Sequence, residues 1–381
     1  MKIVADAHIP FVNECFSSLG EVETVPPHEI SKDHVASADV LLVRALTPVN
    51  ATLLHGSRIK FVATVTTGVN HIDQQYLRDN GIGFVSAPGA NANSVADYVV
   101  AALLSIAKKH NLQLKNKSIG IIGVGRIGSR IEKRAKSIGM EVYLNDPPLQ
   151  RKTGNPKYLP IEKLNKCDFI TLHTPLIAEG NDRTFHLFDA EFFESLKSKV
   201  IFINSSRGEV VDTDALKQAI RKGRLRGTVI DVWENEPDID TELVNMVDLA
   251  TPHIAGLSID GRAGGMFMAY MAMCKYFGFE VSISLDDLLP PPEVPQINLD
   301  DKLIDEWDVI STIVSKVYNI NNDNYNMRKI LSLPVSAQGV YFDQMRDNYS
   351  IRRDFHNTKI VIKNSSSPLA AKIKDIGFET G

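Results

Sequence analysis

Residues 118–146 (SIGIIGVGRIGSRIEKRAKSIGMEVYLND) constrain the fold of this chain more than any other stretch. They read as a buried strand, a glycine-rich turn, an amphipathic helix and a second strand that ends in Asp146, in the order that a dinucleotide-binding unit requires. Gly123 allows the tight turn, Gly125 lets the backbone approach a pyrophosphate, and Gly128 lets the helix pack closely on the strand. The free amide groups at the start of that helix then face the anion. The stretch therefore predicts a doubly wound Rossmann domain.

The residues around this turn also favour one cofactor. The carboxylate of Asp146 can accept hydrogen bonds from an adenosine ribose and would repel a 2′-phosphate, so NAD is favoured over NADP. Arg126 and Ile127 lie within the turn and are expected to contact the same cofactor. A glycine-rich turn without a ligand is the alternative, and the flanking strands and the well-placed acid weigh against it.

The whole chain has the composition of a globular protein with more than one domain. It has 381 residues, 44% of them hydrophobic, and a formal net charge of −4. No basic block stands out, so composition predicts neither nucleic acid nor a membrane as a partner. The segment MKIVADAHIP lacks the apolar core of a signal peptide, and the three cysteines are scattered. We therefore expect free thiols, no metal site and a cytoplasmic location.

Strand-like and helix-like segments alternate on both sides of the glycine-rich turn. Four short apolar segments precede it and predict a parallel α/β unit, and about six strands are expected in the nucleotide domain. A helix is expected to begin at Ser94, with Asp97 completing a capping box. The apolar helix expected at residues 266–279 could cross back to the first unit and make that unit discontinuous.

A proline-rich linker, LPPPEVP, separates a last segment that has helical and strand-like patterns of its own. We therefore predict three domains. They are a discontinuous flavodoxin-like substrate or lid domain (1–93 and 257–285), a Rossmann domain (94–256) and a small α+β domain (286–381). A nucleotide-binding fold needs no such appendage, so the last domain is expected to join two subunits into a homodimer.

Polar residues follow the predicted strands of the nucleotide domain, at the edge where an open α/β sheet binds its ligands. Thr174 ends one strand and is expected near the ribose or phosphate of the cofactor. The other strand ends contribute Ser205, Ser206 and Arg207 in IFINSSRGE, Asp231 and Glu236 in VIDVWENEP, and His253 in ATPHIAG. We expect Ser205, Ser206 and Arg207 to lie beside the nicotinamide.

Three of these side chains fit the oxidation of a 2-hydroxy acid. Arg207 could hold the carboxylate of such an acid with two hydrogen bonds. His253 could take the hydroxyl proton as hydride leaves the same carbon, and a carboxylate such as Glu236 stabilises the protonated ring. Each residue alone could be structural, in a surface ion pair, a solvated turn or the protein interior. Their shared position at strand ends favours a dehydrogenase site.

Over about residues 1–285 the chain resembles the D-isomer-specific 2-hydroxyacid dehydrogenase family. The matching segments are TTGVNHID, NANSVADYVV, GIIGVGRIGSR, INSSRGEVVD, DVWENEP and TPHIAG. The resemblance implies that Arg207 orients the substrate, that His253 is the acid/base and that Glu236 is its partner. It also assigns the nicotinamide end to Asp231 and Gly256, and the substrate carboxylate to the backbone amides of Thr66, Thr67, Gly68 and Val69.

Longer segments resemble one branch of this family, which carries a C-terminal dimerisation domain. They include DVWENEPDIDTELV, TPHIAGLSIDGRAGG and FDQMRDNYSIRRDF. This resemblance implies NAD-dependent oxidation of 4-phospho-D-erythronate at C2, a step of pyridoxal 5′-phosphate biosynthesis. Ala45 and Leu257 occupy substrate positions where the family usually has a serine and a tyrosine. A dehydrogenase of the phosphoglycerate or glycerate type and an NAD(H)-sensing binding protein are the alternatives.

A substrate phosphate needs positive charge, and Arg44 is expected to supply part of it. Arg346, Arg352 or Arg353 could contribute, because the last segment carries arginines and the site otherwise shows few cations. The alternative is that Arg352 and Arg353 form ordinary ion pairs with neighbouring aspartates.

Overall fold

The computed structural model describes residues 1–299, 305–362 and 367–381. The chain separates into two compact units. The first comprises Met1–Asn91 and Leu257–Pro291, and the second comprises Ala92–Gly256 and Pro292–Gly381. The predicted C-terminal domain includes residues 300–304 and 363–366, which lie outside the described residues. The division into three domains remains a prediction.

A parallel five-stranded sheet in the order β2-β1-β3-β4-β5 forms the centre of the first unit. Its strands are β1 (Lys2–Asp6), β2 (Glu21–Val25), β3 (Val40–Val43), β4 (Phe61–Thr64) and β5 (Gly83–Ser86). Its helices are Val12–Phe16, Lys32–Ala36, Ala51–Leu54, Gln74–Asp79, Ile259–Phe277 and Leu285–Leu288. Strands β3 and β4 are buried along their whole length because both faces of the sheet are covered. This strand order is that of a flavodoxin-like fold, as predicted.

A longer parallel sheet, in the order β7-β6-β8-β9-β10-β11, forms the centre of the second unit. Its strands are β6 (Ser118–Ile122), β7 (Glu141–Asn145), β8 (Phe169–Leu172), β9 (Val200–Asn204), β10 (Leu225–Ile230) and β11 (Leu249–Ala250). The order reverses between β6 and β8, so the carboxyl ends of these two strands flank the switch point where such sheets bind nucleotides. The predicted doubly wound Rossmann fold with six strands is confirmed.

Helices and short 3₁₀ turns connect these strands. The helices are Ala92–Lys109, Arg126–Ser137, Pro147–Thr153, Ala190–Ser195, Thr213–Arg221 and Thr241–Met246, and the 3₁₀ turns are Ile161–Lys166 and Gly208–Val210. The helix predicted to begin at Ser94 begins at Ala92, so the predicted capping box is wrong. Asp97 lies inside the helix, where its carboxylate accepts hydrogen bonds from Arg134 and from the backbone N–H of Phe355. Burial raises the pKa of Asp97 to about 7.

The C-terminal segment is α+β, as predicted. It contains a parallel sheet of β12 (Gln296–Asn298), β13 (Lys359–Val361) and β14 (Glu379–Thr380). Its helices are Glu306–Val317, Ile320–Arg328, Val335–Asp347 and Pro368–Ile376, with 3₁₀ turns at Lys329–Ser332 and Phe355–Asn357. The segment packs on the nucleotide-binding sheet, where Asn324 Oδ1 accepts a hydrogen bond of 2.9 Å from Ala250 N. None of the helices in the described part of the chain is both long and apolar enough to span a membrane.

Candidate active site

The glycine-rich turn after β6 is shaped by close backbone contacts. Gly123 has a φ of 85°, a left-handed conformation that favours glycine, and a Cβ there would lie 2.7 Å from the carbonyl oxygen of His173. A Cβ at Gly128 would overlap the carbonyl oxygen of Gly123. At Gly125, by contrast, a Cβ would have no neighbour within 4 Å. The turn is therefore closed toward the sheet and open toward a ligand, as the sequence predicts.

Asp146 lies directly after β7 and stabilises this turn. Its Oδ2 accepts a hydrogen bond of 2.8 Å from Val124 N, and its Oδ1 accepts one of 2.9 Å from Leu149 N at the start of the next helix. Each carboxylate oxygen has a second lone pair, which leaves acceptor capacity for a ribose hydroxyl. Arg126 and Gly125 are exposed and Ile127 is half-buried beside them, so the start of the Arg126–Ser137 helix is accessible to an anion.

The substitution Asp146→Asn should lower the preference for NAD over NADP. The amide keeps an oxygen acceptor for the helix cap and removes the charge that repels a 2′-phosphate. We expect the ratio of kcat/KM for NAD to that for NADP to fall about 10- to 100-fold. The matched control is Glu162→Gln, which removes a carboxylate from the lining of the same cavity. An unchanged ratio in the Asp146 variant would contradict the predicted role.

A cavity of about 560 Å³ extends from the turn along the carboxyl ends of β6, β7 and β8. Its lining includes Gly123, Asp146 and Thr174, three of the predicted cofactor residues. Three buried polar atoms at neighbouring strand ends have no hydrogen-bond partner among the described residues. They are His173 Nδ1, Thr174 Oγ1 and Ser205 Oγ. Buried groups of this kind are normally satisfied, so the site fits a polar ligand such as NAD. Burial lowers the pKa of His173 to about 3, so this ring is neutral.

The loop after β9 carries Arg207 and is fixed by Asn204. The Oδ1 of Asn204 accepts hydrogen bonds from Ser206 N at 3.0 Å and Ser206 Oγ at 2.7 Å, while its Nδ2 donates to Arg207 O at 3.0 Å. The Arg207 guanidinium is half-buried, and its Nη1 donates to Ser206 O at 2.6 Å. Both predicted serines and the arginine therefore lie in one ordered loop at the carboxyl edge of the sheet.

Glu236 and His253, predicted to be the acid/base and its partner, form a hydrogen-bonded pair. His253 Nδ1 donates to Glu236 Oε2 at 2.7 Å, and Glu236 Oε1 accepts a hydrogen bond of 3.0 Å from Trp233 N. Burial raises the pKa of Glu236, but the charges of His253 and Arg346 and these hydrogen bonds bring it below its usual value. Glu236 is therefore ionised at neutral pH. The second ring nitrogen of His253, Nε2, is the atom that could exchange a proton with a substrate.

The loop that carries His253 is held by Asp231, a role that the sequence did not reveal. Asp231 is fully buried, and its carboxylate accepts hydrogen bonds from Thr251 Oγ1, Ile254 N and Ala255 N at 2.6, 2.8 and 3.0 Å. These bonds surround His253, whose φ of 57° is uncommon for a residue other than glycine. Asp231, predicted to line the nicotinamide end, therefore also sets the backbone from which His253 projects.

Of the three arginines that the C-terminal segment offers, Arg352 and Arg346 contact the loops of His253 and Glu236, and Arg353 is bound within its own segment. Arg352 is buried, donates to Ala255 O at 2.6 Å and stacks over the ring of Tyr318, so it anchors the His253 loop. These contacts weigh against a role for Arg352 in binding the substrate phosphate. Arg353 donates to Asn357 Oδ1 at 2.6 Å. Arg346 has its Nη1 3.8 Å from Glu236 Oε2, beside the paired acid and histidine.

The residues predicted to bind substrate from the first unit lie mainly at the carboxyl ends of its strands. Arg44 follows β3 and donates from Nε to the buried Asp6 Oδ2 at 2.8 Å, and Ala45 beside it is exposed. Thr66 Oγ1 donates to Gly68 O at 3.2 Å and Thr67 Oγ1 to Ala87 O at 3.3 Å, which fixes the loop after β4. The other members, Val69 and Leu257, are half-buried, as is Gly256 of the second unit.

Sequence reasoning missed Asn204 and Trp233, whose hydrogen bonds position the site. Nothing in the sequence around Trp233 marks this role. Arg346, about a hundred residues beyond Glu236, stands in the sequence only as one of three arginines that could bind a phosphate. One signal was available: polar residues at the end of a buried strand, such as Asn204, normally make hydrogen bonds that fix the following loop.

In the described ranges, no three His, Cys, Asp or Glu side chains are grouped as metal ligands would be.

Comparison with known proteins gives the same classification for most of the chain. The NAD binding domain of D-isomer specific 2-hydroxyacid dehydrogenases matches residues 93–255, and a domain of unknown function, DUF3410, matches residues 288–377. Among solved structures, the TT0316 protein from Thermus thermophilus has a TM-score of 0.64 and 27% identity, over 74% of this chain and 99% of that one. D-lactate dehydrogenase from Aquifex aeolicus, complexed with NAD and lactic acid, has a TM-score of 0.60 and 26% identity, over 73% and 96%.

Curated relatives match from end to end. Erythronate-4-phosphate dehydrogenase from Hahella chejuensis is 40% identical over 99% of both chains. The enzyme of the same name from Serratia proteamaculans is 40% identical over 100% of both chains. Because these alignments cover nearly the whole chain, they include its C-terminal segment. The chain belongs to the erythronate-4-phosphate dehydrogenase family, within the NAD-dependent D-isomer-specific 2-hydroxyacid dehydrogenases.

Proposed function

We propose that the protein oxidises 4-phospho-D-erythronate at C2 to 3-hydroxy-2-oxo-4-phosphooxybutanoate with NAD, a step of pyridoxal 5′-phosphate biosynthesis. The observation that carries the proposal is the 2.7 Å hydrogen bond between Glu236 and His253, at the same sheet edge as Arg207 and the dinucleotide turn. Full-length similarity to relatives that carry this enzyme name supports the choice of substrate.

The residues of the second unit divide the chemistry among them. Arg207 holds the substrate carboxylate, which orients the C2 hydroxyl. His253 Nε2 accepts the proton of that hydroxyl, and the ionised Glu236 stabilises the imidazolium that forms. Because the loops around all three side chains are fixed by Asn204 and Asp231, little reorganisation is needed during the reaction. NAD, when bound, accepts the hydride from C2.

For the first unit we propose that the backbone of Thr66–Val69 binds the substrate carboxylate, with Arg44 contributing to substrate binding. Support comes from the ordered loop after β4 and from the position of Arg44 at the end of β3. The ion pair between Arg44 and the buried Asp6 reduces the charge that Arg44 can offer to a phosphate. Ala45 and Leu257 offer no side-chain hydrogen bond to the substrate.

The test is a substrate panel, with NADH formation followed by absorbance. We expect steady turnover with 4-phospho-D-erythronate and much slower turnover with 3-phospho-D-glycerate and D-glycerate. Preference for one of the other acids would keep the mechanism and overturn the substrate. If NADH binds and none of the acids is oxidised, even in a single-turnover burst, an NAD(H)-sensing role would replace the proposed function.

We also infer that the protein is a cytoplasmic homodimer joined through the C-terminal segment. Val335 and Val340 on one helix are 83% and 59% exposed, and Ile351 is 61% exposed, so this segment offers apolar side chains to a second subunit. The three cysteines are free and buried, as expected of a protein in a reducing compartment.

The dimer can be tested by light scattering of the full chain. Val340→Lys should shift the measured mass from dimer to monomer, because a charge would be buried without a partner at the interface. Val281→Lys, at a valine of the first unit that is 49% exposed, is the matched control and should leave the mass unchanged. A dimeric Val340 variant would place the interface elsewhere.

A further inference from the structure

Arg346, in the last turn of the Val335–Asp347 helix, is placed beside the candidate active site by the packing of that helix. Phe342 of the same helix is fully buried in the core of the nucleotide-binding domain. Gly339 faces the loop that follows Glu236, and a Cβ there would lie 2.6 Å from Asp238 Oδ1. The helix therefore packs directly against the loop that follows Glu236, which places Arg346 next to Glu236.

The Arg346 guanidinium is attracted to two carboxylates without being hydrogen-bonded to either. Its Nη1 is 3.8 Å from both Glu236 Oε2 and Asp343 Oδ1, beyond hydrogen-bond length. The oxygens of Glu236 already accept hydrogen bonds from Trp233 and His253. Arg346 Nε is buried and has no partner among the described residues. The guanidinium therefore has N–H groups available in a partly open position, where the side chain is 27% exposed.

Arg346 and Arg207 both interact electrostatically with Glu236. Burial lowers the pKa of Arg207, Glu236 and Glu209 oppose the change, and the positive charge of Arg346 adds to it. Two arginines near one Glu–His pair exceed what a substrate with one carboxylate requires. A substrate with a carboxylate at one end and a second anionic group at the other would use both.

We propose that Arg346 is a specificity-determining residue that binds the terminal phosphate of the substrate, while Arg207 binds the carboxylate. The inference rests on the proposed function, because it assumes a phosphorylated 2-hydroxy acid. It gives the C-terminal segment a direct part in substrate recognition within each chain. The phosphate oxygens supply acceptors for the guanidinium N–H groups of Arg346.

The test compares each phosphorylated acid with its unphosphorylated counterpart. In Arg346→Gln we expect kcat/KM for 4-phospho-D-erythronate to fall about 10- to 100-fold. The value for D-erythronate should change by less than about threefold, as for loss of a weak surface ion pair. Arg346→Lys, which keeps the charge but not the planar fork, should recover part of the loss. The control Lys316→Gln removes one exposed charge from the same segment. It should leave the ratio of kcat/KM for 4-phospho-D-erythronate to kcat/KM for D-erythronate unchanged.

Equal losses with both acids would overturn the inference, because they would mean that Arg346 acts only by holding Glu236 and His253. If Arg346→Gln leaves the ratio of kcat/KM for 4-phospho-D-erythronate to kcat/KM for D-erythronate unchanged because neither value falls, the inference is overturned as well. The pair 3-phospho-D-glycerate and D-glycerate separates this result from the proposed function. If the wild type prefers 3-phospho-D-glycerate and Arg346→Gln equalises that pair, the proposed substrate is wrong and the role of Arg346 stands. A wild type that favours neither phosphorylated acid overturns both.

Discussion

His253→Asn should lower kcat by about 10²- to 10⁴-fold, the contribution that a positioned acid/base makes to such reactions. Asparagine cannot take the hydroxyl proton, and it also removes the charge and hydrogen bond of His253 that help to hold the pKa of Glu236 below its usual value. NADH affinity, measured by fluorescence, should stay within a few-fold of wild type, because the dinucleotide turn lies after a different strand. Initial rates with 4-phospho-D-erythronate give kcat.

A second histidine–glutamate pair supplies the matched control. His186 Nε2 and Glu234 Oε1 are 2.6 Å apart, and His186 also has a left-handed backbone, with a φ of 49°. Glu234 additionally accepts a hydrogen bond from Thr213 N, which indicates a structural role. His186→Asn should therefore reduce stability and leave kcat within a few-fold of wild type. Comparable losses of kcat in the two variants would refute the assignment of His253 as the acid/base.

The parts of the fold that the sequence predicts are those determined by local chemistry. The turn at Gly123 requires a left-handed backbone, and the approach of Gly128 to Gly123 excludes any side chain, so both glycines are recognisable in a single sequence. Asp146 is recognisable because it ends the next strand of the same βαβ unit. Arg207, Glu236 and His253 follow buried strands, and the parallel sheet necessarily brings the ends of such strands to one edge.

The parts that the sequence could not predict depend on contacts between distant segments. Ser94 and Asp97 match a capping box, but the helix begins at Ala92, and Asp97 accepts hydrogen bonds from Arg134 and Phe355 within it. Tertiary context can override a local helix signal. Arg346 and Arg352 are the same type of residue and lie six positions apart in the sequence. Nevertheless, Arg346 lies beside Glu236, whereas Arg352 is buried against Ala255. Only the packing of the C-terminal segment decides which arginine is available to a substrate.

Gly208 shows how one residue without a side chain can control the geometry of the candidate site. It follows Arg207 directly, and a Cβ at this position would overlap the backbone carbonyl of Trp233. Trp233 N in turn donates to Glu236, so the loop that carries Arg207 and the loop that carries Glu236 are in backbone contact. A methyl group at residue 208 must push these two loops apart.

Gly208→Ala should therefore lower kcat/KM by about 10²-fold or more, because a displacement of about 1 Å at catalytic groups has an effect of this size. The free energy of unfolding should fall by about 1–3 kcal/mol, as for overpacked interiors, measured by urea denaturation. NADH affinity should change little. Gly264→Ala is the control: its Cβ would lie 3.7 Å from Ala90 O, an ordinary contact, so stability and activity should stay near wild type. Wild-type kcat/KM in the Gly208 variant would mean that the two loops can separate without loss of function, and that the fixed geometry of Arg207 and Glu236 is not required for catalysis.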